Sequence, residues 1–235
     1  VSIFRMAIGH KRKDHRKTTS MTSIAERLEA VRAQMRQRGL DALIVPRADE
    51  YLGEYIPAHN ERLRWISGFT GSAGVVIVLA DAAAIFVDGR YTVQVRQQVS
   101  AELFEFLHLV DEPHARWLGK RLDKGKRVGY DPRMHTLTWQ KKTADTLARS
   151  GVELMALDEN LVDLCWHDRP QAARHPAILM EARYTGKSSA DKRHEIGATI
   201  AEQGAEAALV FAADSVAWLL NIRGSDVPHL PLVLG

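Results

Sequence analysis

Ten histidines, a single cysteine, a glycine-rich loop and one Asp-Gly-Arg-Tyr run are the parts of this sequence best able to do chemistry. The histidines are His10, His15, His59, His108, His114, His135, His167, His175, His194 and His229. No two of them stand four apart around a glutamate, as a zinc-protease helix requires, and no Cys/His finger spacing occurs. Scatter without a shared metal is the expectation. Cys165 beside Trp166 reads as a packed small hydrophobe rather than a nucleophile. The loop Gly68-Phe69-Thr70-Gly71-Ser72-Ala73-Gly74 lacks both the Lys-Ser/Thr ending of a P-loop and the order of a dinucleotide fingerprint. Its glycines predict unusual backbone angles instead. Ser67 and Ser72 sit in no G-x-S-x-G elbow, which disfavours a serine hydrolase. Glu50 and Glu54 stand four apart and predict the solvated face of a helix. Asp88-Gly89-Arg90-Tyr91 closes a hydrophobic strand, where a sheet presents groups on a rigid edge. Arg90 there reads two ways: a clamp for a carboxylate or carbonyl, or the partner of Asp88 in a structural ion pair.

The elements that must position these residues follow from periodicity. Ser23-Ile24-Ala25-Glu26 is a capping box, and Ile24, Leu28, Val31 and Met35 then form one apolar stripe of a helix that Gly39 ends. Leu40 to Val45 predicts a buried strand closed by Pro46. Residues 51–72 show no clear pattern before the glycine-rich turn. Val75 to Ala80 and Ala83 to Val87 predict two strands joined near Asp81. Helices are expected over Tyr91–Val99, Ala115–Leu122 and Thr136–Ala148, with strands over Leu103–Val110, Arg127–Tyr130 and Val152–Leu157. That alternation argues α/β, a mixed sheet flanked by helices. Pro170 and Pro176 mark residues 166–180 as a linker.

Composition bounds the function class. Hydrophobic residues make up 46% and charged residues 26%, the balance of a soluble globular protein. No run approaches the roughly 18 apolar residues of a membrane span. One cysteine excludes an internal disulfide and fits a reducing compartment, so a cytoplasmic location is expected. The net charge of +3 is concentrated in residues 1–20, which carry +5 and leave −2 for the rest. Such a tail could touch nucleic acid or membrane by charge alone, or act as a targeting segment. Val1 is not a natural start and Met21 directly precedes the helix start, so the tail is expected to be disordered or to lie ahead of the true start. Neither nucleic acid nor membrane is expected as a partner.

Residues 181–235 echo the beginning. Gly204-Ala205-Glu206-Ala207-Ala208-Leu209-Val210 can be set against Gly39-Leu40-Asp41-Ala42-Leu43-Ile44-Val45, and Asp214 against Asp49. Ser188 again precedes a helical stretch, and Asn221-Ile222-Arg223-Gly224-Ser225 loosely echoes Ser67 to Ser72. Two domains of one ancestral fold in tandem are expected, 21–165 and 181–235, the second cut off mid-sheet.

Longer motifs carry a resemblance. Trp65-Ile66-Ser67-Gly68-Phe69-Thr70-Gly71-Ser72-Ala73-Gly74 followed by Val87-Asp88-Gly89-Arg90-Tyr91 resembles the N-terminal domain of the creatinase/Xaa-Pro aminopeptidase family. Glu159 to Asp163, Trp166 to Pro170, Tyr184 to Ser188 and Ala217 to Pro228 are similar to its three-domain branch. One departure is Pro228-His229-Leu230-Pro231, where the branch has an asparagine before the second proline. The resemblance implies a homodimeric Xaa-Pro aminopeptidase with two related α/β domains and a C-terminal pita-bread catalytic domain. That enzyme removes an N-terminal residue when proline is second. It implies two divalent metal ions, manganese by habit of the family, held by two aspartates, one histidine and two glutamates in the catalytic domain. This chain stops short of that domain, so no catalytic residue or metal ligand is assigned here, and the fragment itself is expected to be inactive. The partners implied are short peptides with an Xaa-Pro N-terminus, and Arg90 occupies the position of a substrate-contacting arginine. The alternative is a non-catalytic interaction module of the same fold.

Overall fold

The computed structural model describes residues 23–234, and the basic tail lies outside the described residues. The first helix, α1 (Ile24–Gln37), starts where the capping box places it. Ser23 Oγ accepts from Glu26 N at 3.3 Å, and Glu26 Oε2 accepts from Ser23 N at 2.7 Å. Leu28, Val31 and Met35 form its buried face. The strand β1 (Ala42–Pro46) follows, then α2 (Arg62–Ser67), β2 (Val75–Leu79), β3 (Ala83–Val87) and α3 (Thr92–Gln98). Next come β4 (Glu105–His108), α4 (His114–Arg121), β5 (Arg127–Tyr130), α5 (Leu137–Ala148), β6 (Glu153–Ala156) and α6 (Leu161–Cys165).

Six strands form one sheet in the order β4-β3-β2-β1-β5-β6. Strand β2 is antiparallel to both β1 and β3. The pairs β1–β5, β3–β4 and β5–β6 are parallel. Five strands therefore point one way, and their carboxyl ends share one edge of the sheet. Side chains alternate between two cores, as the two-residue period of a strand requires. Leu43 and Val45 of β1 meet α1, α2 and α6, together with Val76, Val78, Ile85 and Val87. Ala42 and Ile44 meet α4 and α5, together with Ile77, Leu79, Ala84 and Phe86. Both faces of β1 to β3 are covered, so these strands read as continuous apolar runs.

A second unit follows Trp166. It comprises β7 (Ile178–Leu179), α7 (Ala182–Thr185), α8 (Ser189–Glu202), α9 (Ala213–Leu220) and β8 (Ile222–Arg223). Strand β7 pairs antiparallel with β8. Ser188 caps α8 through Asp191 N at 3.1 Å. Lys192, 3% exposed, fastens α8 to α9 by donating to Asn221 Oδ1 at 2.6 Å and to the Trp218 carbonyl at 2.9 Å. The turn glycine that ends α2, Gly68, has φ 82°, and Asn221 ends α9 in the same left-handed region at φ 54°. Asparagine tolerates that conformation because its short amide bonds locally.

Three expectations change. The unplaced stretch 51–72 contains α2, whose six residues are too few to show a period. Glu50 and Glu54 lie in a turn and loop, not on a helix face. Glu50 Oε2 instead accepts from Asn60 Nδ2 at 3.0 Å. Within the expected linker, Ile178 and Leu179 pair with β8 of the second unit. Residues 207–210, matched to β1 by the repeat, form no strand. Strand β1 is bonded on both edges, whereas no described strand flanks 207–210, and Leu209 and Phe211 stand 82% and 79% exposed. A strand without a partner edge leaves its amide groups to water and gains nothing from the extended form.

Candidate functional site

The carboxyl edge of the sheet is where open α/β sheets place their ligands. Strand β3 delivers Asp88, Arg90 and Tyr91 to that edge. Asp88 Oδ1 accepts from Arg90 N at 2.9 Å, which caps a short 3-10 turn over Gly89–Tyr91. The Arg90 guanidinium folds back on the same carboxylate, Nη2 to Oδ2 at 2.8 Å and Nε to Oδ1 at 3.2 Å. Those bonds hold the Asp88 carboxyl below its ordinary range and push the Arg90 guanidinium up. The side chain of Arg90 is 63% exposed and lies 5.1 Å from the centre of the Tyr91 ring. Its Nε and Nη2 serve Asp88, and Nη1 donates to no described residue. The ion pair with Asp88 is present, and the Arg90 side chain is largely exposed beside it.

The glycine-rich loop supports this corner from the side. Tyr91 OH lies 2.7 Å from Ser72 Oγ, a bond that lowers the phenol pKa. The Tyr91 and Phe69 rings meet edge to face at 5.6 Å. Gly71 is where they leave no room, since a Cβ there would lie 2.9 Å from Tyr91 Cδ1 and closer still to the Phe69 ring. The motif thus sets backbone against aromatic rings. His108, at the end of β4, pairs with Asp111 Oδ2 at 3.1 Å through Nδ1 beside this corner.

A charge network that no sequence motif announces lies behind the edge. Arg62 in α2 is 2% exposed. It donates to Asp163 of α6 through Nε at 2.7 Å and Nη2 at 2.9 Å, and to Glu50 at 3.4 Å. Burial pushes its pKa down, but the two carboxylates outweigh burial and the net direction is up. Arg169 reaches the same Asp163 at 2.7 Å and donates to the His59 carbonyl at 2.7 Å. Two guanidiniums and two carboxylates so join the loop after β1, α2, α6 and the segment leaving the first unit. Asp131, following β5, is buried, accepts from Arg133 and Asn160, and is held below its ordinary range despite its burial.

Among the described residues no group of three His, Cys, Asp or Glu could hold a metal ion. His114 and His135 both stack on Trp139 and are held down to about 4, chiefly by burial. Burial pushes the Cys165 thiol up, which keeps it protonated and a poor nucleophile. No described helix is long and apolar enough to cross a membrane.

Comparison with known proteins fits this architecture. Two models described as the Creatinase/Prolidase N-terminal domain match, one over residues 27–164 and one over 168–235. The chain is 37% identical over 231 residues to a probable Xaa-Pro aminopeptidase P of Neurospora crassa, covering 95% of this chain and 33% of that protein. It is 34% identical to aminopeptidase P1 of Lotus japonicus, covering 88% of this chain and 32% of that one. The chain thus spans about one third of the length of the curated relatives it matches. A crystal structure of the X-prolyl aminopeptidase of Caenorhabditis elegans, described as a cytosolic enzyme with a di-nuclear active site, superposes with a TM-score of 0.81 at 29% identity. That match covers 90% of this chain and 36% of the other. With one model spanning more than half of its length and a second taking up the remainder, the chain belongs to the creatinase/prolidase N-terminal domain family.

Proposed function

We propose that this chain is the N-terminal part of a cytosolic, homodimeric metalloaminopeptidase that releases the first residue from short peptides with proline second. The observation that carries the reading is the likeness to an X-prolyl aminopeptidase across nine-tenths of the chain. Two divalent metal ions, manganese by preference, would activate water and polarise the scissile carbonyl in such an enzyme. The described residues offer them no ligand set, so the metals belong to the catalytic domain and no step is routed through this chain. In this reading residues 21–165 are one domain, 166–180 a connecting segment, and 181–235 the opening part of a second copy. The two units wall the substrate cleft, limit access to short peptides and contribute dimer contacts.

Arg90 is the substrate-binding residue of this proposal. Asp88 fixes its guanidinium, and Nη1, which none of these bonds uses, can donate to a peptide carbonyl, so the bound peptide loses orientational freedom before chemistry begins. A charge-assisted bond of that kind contributes roughly 1.5–3 kcal/mol, about 10- to 100-fold in kcat/KM. Arg90→Ala in the intact enzyme should lower kcat/KM for Xaa-Pro peptides by that factor while metal content stays unchanged. Unaltered kinetics would remove Arg90 from the site. A reading frame past Gly235 lacking two aspartates, one histidine and two glutamates in ligand positions would remove the enzyme reading itself.

A further inference from the structure

At the seam between the two units lies a cavity of about 570 Å³, within the usual size range of ligand sites. One wall is the loop after β1, Asp49 to Tyr55; the other is the start of α9 with Arg223 and the segment Val227 to Leu234. The two aspartates that the internal repeat equates, Asp49 and Asp214, both line it, as does Glu54. Arg223 is the cation of the lining, and its Nη1 donates to the carbonyls of Ile222 at 2.7 Å and Ala217 at 3.4 Å. Three carboxylates against one guanidinium give the lining a formal charge of −2.

The walls are fixed before any ligand arrives. Asp49 is 1% exposed, and its Oδ1 accepts from Tyr51 N at 3.1 Å and Gly53 N at 3.0 Å. Glu50, its neighbour, is tied down by Arg62 and Asn60. Across the cavity, buried Asp226 accepts from Leu234 N at 3.0 Å and His175 N at 2.9 Å. Both rims hold non-glycine residues in left-handed backbone, Leu52 at φ 54° and His229 at φ 64°, and His229 closes edge-on over Tyr55 at 5.4 Å.

Charge and lining select the occupant. Among the described residues no three acidic side chains converge closely enough to hold a metal ion. The cation must therefore be larger and carry its charge on an apolar stem, to lie along Leu52, Tyr55 and Ala217 with its head at the carboxylates. We infer that the seam cavity is a subsite for a peptide segment bearing an arginine or lysine side chain. That the cation arrives on a peptide rests on the aminopeptidase reading; the preference for positive charge rests on the cavity alone. Arg47 Nη1 donates to the carbonyls of Glu54 at 3.0 Å and Ser72 at 3.1 Å, and Ser72 Oγ bonds Tyr91 OH, so the subsite adjoins the Arg90 corner and one peptide could reach both.

The test is binding, which needs no catalysis and so stands apart from any failure of the enzyme reading. The 235-residue chain is titrated calorimetrically with Ala-Pro-Ala-Arg-Ala-amide and with its twin carrying neutral citrulline for arginine. The arginine peptide is expected to bind about tenfold tighter than its twin. The exposed-rim double variant Glu54→Gln/Asp214→Asn, which leaves buried Asp49 untouched, should abolish that difference. Equal affinity of the twins, no binding of either, or a preference that survives the double variant would each overturn the assignment.

Discussion

Replacing Asp163 by asparagine keeps the shape of the side chain and removes the charge that two guanidiniums share. Arg62 Nε and Nη2 approach its oxygens to 2.7 and 2.9 Å, and Arg169 Nη1 to 2.7 Å. Two opposite charges about 4 Å apart attract by about 4 kcal/mol at the effective dielectric of a protein near its surface. Asp163 side-chain exposure is 20% but that of Arg62 is 2%, so water cannot replace the lost acceptor for Arg62. Breaking a buried pair from one side costs about 3–5 kcal/mol. Glu50 at 3.4 Å retains part of the compensation for Arg62, which places the expected loss near the lower figure, about 3 kcal/mol. Urea unfolding at pH 7, followed by tryptophan fluorescence, measures it; Trp166 stacks on Trp65 at 5.8 Å beside the network and reports on the region. Arg62→Met alone should cost less, because Arg169 still neutralises Asp163. The pair Arg62→Met/Asp163→Leu should be less damaging than the sum of its parts, since neither charge is then stranded. The loss should change little in 0.5 M salt, unlike that of an exposed pair such as Arg36–Glu29. A loss below about 1 kcal/mol for Asp163→Asn, or strict additivity in the cycle, would refute the reasoning.

Acid should destabilise the first unit before its carboxylates titrate. His114 and His135 sit at about 4 when folded against 6.5 when free, both because burial penalises the charged ring. Between those values the unfolded chain binds protons that the native one refuses, so stability is full above pH 6.5 and falls as pH drops toward 4. One such ring contributes about 3 kcal/mol of that loss by pH 4. Unfolding curves of His114→Gln and His135→Gln should each be flatter over this window than the parent's, and parallel curves would reject the assignment. Gly71→Ala should cost about 1–3 kcal/mol, because its methyl group displaces the Phe69 ring, which is 1% exposed, or the Tyr91 ring. A melting temperature unchanged by that substitution would show that the two rings can give way.

The sequence alone determined the parts whose physics is local. The capping box at Ser23 and Glu26, the strands β2 and β3, the strand β5 and the helix α5 each follow from hydrogen bonds and side-chain periods spanning a few residues. The Asp-Gly-Arg-Tyr corner was legible too, since Asp88 and Arg90 are two residues apart. Short α2 and α6 were not, because six and five residues show no period and are held by packing on α1. Nothing in the chain's order announced that Arg62 would meet Asp163 across 101 positions. Nor did it announce that Asp49 and Asp214, equated by the repeat, would face one cavity. Residues 207–210 carry the same apolar pattern as β1 yet form no strand, because a strand exists only where a neighbouring edge supplies its hydrogen bonds. Tertiary structure decided these features, for ion pairs and ladders depend on which distant segments the topology brings together.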